Sequence, residues 1–108
     1  MPTIVGVSTR FDVWEWLREE DVFPSSIVKH LTVDDGERAY RVEVTYDIPY
    51  ERVERARVLS TWSGSDLTEQ PLSDARVADD IVRFVECAPE VHDYLRARFT
   101  DHWARVTA

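Results

Sequence analysis

Between Ile27 and Ile48 the chain alternates apolar and polar residues around a central Asp35-Gly36, and no other stretch restricts the fold as strongly. Tyr40, Val42, Val44, Tyr46 and Ile48 fall on one side of an extended chain. Ala39, Arg41, Glu43, Thr45 and Asp47 fall on the other. This is the period-2 pattern of a strand with one dry face and one wet face. Asp-Gly is a favoured two-residue hairpin loop, because a type I′ turn needs positive φ at both central positions. A loop at Asp35-Gly36 pairs Asp34 with Glu37, Val33 with Arg38, Leu31 with Tyr40, Lys29 with Val42 and Ile27 with Val44. Ile27, Leu31 and Val33 then share a face with Tyr40, Val42 and Val44, and a slip of one residue would separate the two sets. Lys29 and Arg38 are misfits on that face, tolerable if their long stems reach the sheet edge.

The flanking segments supply the rest of a single domain, which is all that 108 residues allow. Residues 1–7 suit a short strand added to the edge of the hairpin. Ser8 or Thr9 can cap a helix running to about Glu20, with Phe11, Val13, Trp14, Trp16 and Leu17 on one arc. Asp12, Glu15 and Glu19 line its other side. Phe23-Pro24 then breaks the helix. Residues 49–62 fit two patterns: Pro49 could open a helix carrying Tyr50, Val53 and Ala56, or Ala56, Val58 and Trp62 could alternate along a strand. Two strands alone make a marginal sheet, so a third strand over about 54–62 is expected. Residues 63–73 read as a loop. Ser73 can cap a helix bearing Val77, Ile81, Val82 and Val85, ending near Ala88-Pro89. Pro89 opens a last helix with Val91, Leu95, Phe99, His102 and Val106 in a stripe, flanked by Tyr94 and Trp103. The expected architecture is α+β: an antiparallel β-meander, hairpin 27–48 plus the third strand, packed against an N-terminal helix and two C-terminal helices.

Composition excludes several classes of function. The chain has 21 acids against 13 bases, a net charge of −8, which disfavours direct binding to nucleic acid or an anionic membrane. Six bases face twelve acids up to Glu54, and seven face nine beyond it, so the acidity leans to the N-terminal half. Lys29 is the only lysine and there is no asparagine, a bias that suits a GC-rich genome or adaptation to salt. No run approaches membrane-spanning length and the N-terminus does not resemble a signal peptide, so a cytoplasmic protein is expected. Cys87 is alone and is expected to be buried and inert. His92 and His102 are ten apart rather than four, so they do not make a helical metal pair. His102 suits the core and His30 the solvated face of the hairpin, opposite Arg41. Asp34-Asp35 is explained by the turn and Asp79-Asp80 by a wet helix face. The Gly64-Ser65-Asp66 run is no phosphate cradle. No catalytic residue, metal site or cofactor is expected, and the chain reads as a non-enzyme.

What remains is the acidic stripe Asp12, Glu15 and Glu19, continued by Glu20 and Asp21, with Trp16 beside it. Clustered carboxylates next to an aromatic suit an interface with a basic partner protein. In size, charge and lack of catalytic motifs the chain is similar to small acidic inhibitors such as anti-CRISPR proteins and nuclease immunity proteins. These groups vary in fold, so no functional position carries over. The expected function is a stoichiometric inhibitor that covers a basic, nucleic-acid-binding surface of a partner, with the possibility of nucleic-acid mimicry. Two alternatives stand beside it. One is a self-associating assembly subunit, a homodimer formed through Tyr94, Phe99 and Trp103. The other is a small ligand-binding protein or enzyme with a pocket between sheet and helices.

Overall fold

The computed structural model of the protein describes residues 4–7, 11–15, 21–22, 25–47, 49–63 and 68–107, with side chains over 11–15, 25–47, 49–63 and 68–98. The chain forms an α+β fold in which two helices pack on one face of an antiparallel sheet. Its elements in order are β1 (Ile4–Val7), β2 (Asp12–Glu15), β3 (Asp21–Val22), β4 (Ser26–Asp34), β5 (Arg38–Asp47), β6 (Arg52–Ser63), α1 (Ala75–Cys87) and α2 (Pro89–Thr107). The sheet order is β1-β2-β4-β5-β6, with β3 also paired to β4.

The hairpin forms as its alternation predicts, but its register differs by two residues. Val33 pairs with Tyr40, Leu31 with Val42, Lys29 with Val44 and Ile27 with Tyr46. The tip is Gly36-Glu37 rather than Asp35-Gly36: the Asp35 N–H donates to the Arg38 carbonyl at 3.0 Å, and Gly36 carries the positive φ of +96°. Glycine at the first central position is the type II′ preference. The two aspartates hold this tip with their side chains. Asp34 Oδ1 accepts from the Gly36 N–H at 2.7 Å, and Asp35 Oδ1 accepts from the N–H groups of Glu37 and Arg38 at 2.9 and 2.7 Å. A two-residue shift preserves parity, so the apolar sets still meet on one face.

The expected N-terminal helix is corrected over 12–15, which is strand β2; residues 16–20 lie outside the described residues. Phe11-Asp12-Val13-Trp14-Glu15 satisfies a helical arc and a period-2 alternation equally well. The free edge of β4 decides between them, because pairing there places Val13 opposite Val33, both fully buried. Aromatic and β-branched residues suit such a half-buried pleated surface. β3 continues along the same edge of β4, with Asp21 opposite Val28 and Val22 opposite Ile27. β1 lies outside β2 and not beside the hairpin itself.

Residues 52–63 form a strand, so the meander is complete. β6 is bulged against β5 near Leu59 and near Glu54. Asp74, not Ser73, caps α1, its Oδ1 accepting from the N–H groups of Arg76 and Val77 at 3.0 and 3.4 Å. α1 ends at Ala88, whose N–H returns to the Phe84 carbonyl at 2.8 Å, and Pro89 opens α2. The core lies between helices and sheet. Ile81, Val85, Val91 and Leu95 from the helices meet Ile27, Leu31, Val33, Val42, Val44 and Tyr46 from the strands. Phe11 stacks at a tilt on Phe84, ring centroids 4.8 Å apart. No helix among the described residues is long and apolar enough to cross a membrane.

Candidate interaction site

The sheet does not assemble the acidic stripe expected of a helix. Neighbouring strand residues point to opposite faces, so Asp12 and Glu15 part company. Glu15 follows Phe11 and Val13 onto the helix-facing side, where its Oε1 meets Lys29 Nζ at 2.5 Å and Arg98 at 3.6 Å. Lys29, the misfit of the hairpin face, is only 3% exposed and Glu15 14%. Burial works to raise the Glu15 pKa. Hydrogen bonds from Lys29 and Tyr94, with the charges of Lys29 and Arg98, outweigh it and hold the carboxyl below its usual range. Glu15 is therefore a structural anion that neutralises a buried lysine. Asp21 is paired in backbone with Val28, toward the opposite end of β4 from the Asp12–Asp34 pair. Trp16, Glu19 and Glu20 lie outside the described residues.

Asp12 has a different setting. It pairs with Asp34 at the end of β4, next to the hairpin tip. Like charges directly opposite one another on paired strands are unfavourable. Asp35 and Glu37 lie on the tip itself. Asp80 of α1 lines the same cleft as Asp35 and Glu37, and the charge of Asp74, the cap of α1, reaches Tyr40, so carboxylates from the hairpin tip and from α1 converge at this end of the molecule.

A cleft of about 360 Å³ opens there between the tip and α1. Phe11, Val77 and Ile81 give it an apolar floor, Tyr40 a wall, and Asp35, Glu37 and Asp80 a carboxylate rim. The Tyr40 hydroxyl donates to Asp35 Oδ2 at 3.1 Å. Desolvation pushes the Asp35 pKa up, but the N–H groups of Arg38 and Glu37, the Tyr40 hydroxyl and the Arg38 charge outweigh it and hold it below the usual range. Burial, the Asp35 charge and that same hydrogen bond push the Tyr40 phenol up. At neutral pH Asp35 is ionised and the Tyr40 phenol keeps its proton. The site suits the aliphatic stem and cationic head of an arginine or lysine. Sequence reasoning assigned Asp34-Asp35 to the turn and Asp79-Asp80 to a solvated helix face. It missed their convergence, for which the i, i+4 pair Val77 and Ile81 facing the tip was the available signal.

The opposite face of the sheet carries ion pairs instead. His30, expected to be solvated opposite Arg41, is 5% exposed and lies opposite Glu43. Its Nε2 is 3.5 Å from Glu43 Oε2, and Arg57 Nε donates to Glu43 Oε1 at 2.9 Å. Arg41 reaches Glu69 at 3.6 Å, and the Ser60 hydroxyl donates to the same oxygen at 2.7 Å. Cys87, expected to be buried, is exposed at the end of α1. Among the described residues no group of three or more His, Cys, Asp or Glu is placed to hold a metal ion.

The sequence matches no protein-family model, and neither a curated protein nor a solved structure shows significant similarity to the chain.

Proposed function

We propose that the protein is a stoichiometric binding protein that docks its acidic hairpin-tip end on a basic surface of a partner protein. The observation that supports this most is the cleft between the tip and α1, where an apolar floor lies beneath three carboxylates from two elements. A hydrophobic base with a charged rim is the anatomy of a site for one anchoring side chain. A net charge of −8 adds long-range steering toward a basic partner. Basic surfaces with exposed arginine and lysine are characteristic of nucleic-acid-binding proteins. Occupying such a surface would exclude the nucleic acid, the inhibitory action of anti-CRISPR-like and immunity-like proteins. The partner-facing residues in this reading are Asp35, Glu37 and Asp80; Asp12 and its cross-strand partner Asp34 lie on the other face of the sheet, and Glu15 is removed from that role.

The test is affinity capture from the source lysate with and without nuclease, using the wild-type protein and the Glu37→Lys/Asp80→Lys variant. A basic protein held in stoichiometric amount after nuclease treatment, and lost with the variant, supports the proposal. Equal capture by both proteins removes this end of the molecule from consideration.

The two alternatives gain less from the geometry. Tyr94 of the proposed C-terminal dimer surface is half-buried and packed against the core. The space between sheet and helices is filled by Ile81, Val85, Val91 and Leu95, each no more than 1% exposed.

A further inference from the structure

The three carboxylates of the cleft between the hairpin tip and α1 are not equivalent. Asp35 Oδ1 already accepts from the N–H groups of Glu37 and Arg38, and Oδ2 accepts from the Tyr40 hydroxyl. A carboxylate offers about four lone-pair sites, so Asp35 has about one left. The Arg38 charge acts on it as well. Asp35 therefore fixes the tip and the Tyr40 ring, and an incoming cation is left to Glu37 and Asp80. These stand on the two sides of the opening, Glu37 on the tip and Asp80 on α1. Between them the lining is apolar: the rings of Phe11 and Tyr40, with Val77 and Ile81. Beyond Val77 and Asp80 the surface hollow continues along α1 to Arg76, Asp79 and Arg83. Two arginines balance two aspartates there, so that stretch attracts no second cation, and the cleft is a site for one.

We infer that the cleft selects arginine over lysine as the anchoring side chain of its partner. This rests on the reading of the cleft as a site for a basic side chain, and adds which of the two it takes. A guanidinium is planar and weakly hydrated, and its N–H donors point outward around its edge. Lying along the aromatic lining, it keeps edge donors for carboxylates on both sides and gives up little water to the apolar floor. An ammonium is a compact, strongly hydrated point charge. Over Phe11, Val77 and Ile81 it sheds more water for the same two carboxylates, and aromatic surfaces receive arginine more often than lysine. Both rings are set before a partner arrives, Tyr40 by its hydroxyl bond to Asp35 and Phe11 by its tilted stack on Phe84. Binding then orders the partner's side chain and not the cleft, which keeps the entropic cost low. The protein consequently distinguishes among basic surfaces of equal charge, and docks on those that present an arginine.

Calorimetric titration of the wild-type protein with hexa-arginine and with hexa-lysine, at one ionic strength, tests this. The peptides carry equal charge, so long-range attraction to a protein of net charge −8 is the same for both. Hexa-arginine should bind at least tenfold more tightly, with amide shift changes centred on Glu37 and Asp80 in NMR spectra. The Glu37→Gln/Asp80→Asn variant should weaken hexa-arginine more than hexa-lysine and bring the ratio of affinities near one. Neither position is buried, and unfolding curves check that the variant is folded. Equal wild-type affinities for the two peptides overturn the inference and leave the basic-partner reading standing. A preference for arginine that the double variant retains also overturns it, because arginine is then read elsewhere on the molecule. Binding of neither peptide overturns the basic-partner reading itself, and the inference with it.

Discussion

Lys29 and Glu15 form an ion pair on the helix-facing side of the sheet, joining β4 to β2 beneath α2. A buried pair adds little net stability, but removing one partner leaves an uncompensated charge. Glu15→Gln removes the carboxylate that Lys29 faces and should cost about 3 kcal/mol in urea unfolding. Lys29→Met should cost less, because Arg98 still faces Glu15. The Glu15→Leu/Lys29→Met double variant should recover most of the loss. Charge reversal at Glu15 is consequently a fold perturbation, unsuited to mapping an interface.

Val13 is fully buried opposite Val33. Val13→Ala should cost about 2 kcal/mol from lost transfer energy and the cavity left behind. Amide exchange should show β2 protected where it pairs with β4. Helical exchange and chemical-shift patterns over 12–15 would contradict the strand.

Gly36→Ala isolates a backbone effect. A Cβ at this position meets nothing within 4 Å, so only the φ of +96° is unfavourable. The expected loss is about 1–2 kcal/mol, with Gly36→Asn less affected.

Acid should weaken the fold through identifiable groups. Glu15, Asp35 and Glu43 all titrate below their ordinary values in the folded protein, so their contribution is present above the unfolded pKa values near 3.8 and 4.5. It is lost as pH falls through the lower, folded values. Asp35→Asn should flatten the acid limb of the stability–pH curve. Tyr40 works in the opposite sense: its raised pKa gives stability that is complete below the ordinary value of 10.0 and lost as pH climbs toward the folded value. Tyr40→Phe should remove part of the alkaline limb.

The middle and end of the chain were legible because few patterns competed there. Alternation from Ala39 to Asp47 admits one face for the core, and Pro89 after Ala88 admits one break between helices. The register was less secure, since Asp34, Asp35 and Gly36 support turns in either of two frames of equal parity. Asp35 settles it by accepting two backbone N–H bonds and the Tyr40 hydroxyl, a contact set that only the folded tip assembles. At the N-terminus Phe11, Val13 and Trp14 fit helix and strand alike, and the free edge of β4 is a tertiary fact that local pattern does not carry. With a strand over 12–15, Asp12 and Glu15 fall on opposite faces, and Trp16, Glu19 and Glu20 of the acidic stripe lie outside the described residues. Carboxylates do gather at the cleft, but from residues more than 40 apart in sequence, Asp35 and Asp80, which spacing rules for a single element do not relate.

The most direct measurement is the affinity of the captured basic partner for wild-type protein and for Glu37→Lys/Asp80→Lys, taken across a salt series with unfolding curves as a control. Docking through the acidic cleft predicts that affinity for the wild type falls steeply with salt. It also predicts at least a tenfold loss in the variant, about 1.4 kcal/mol, with the fold intact. Equal affinities with the same salt dependence would contradict it.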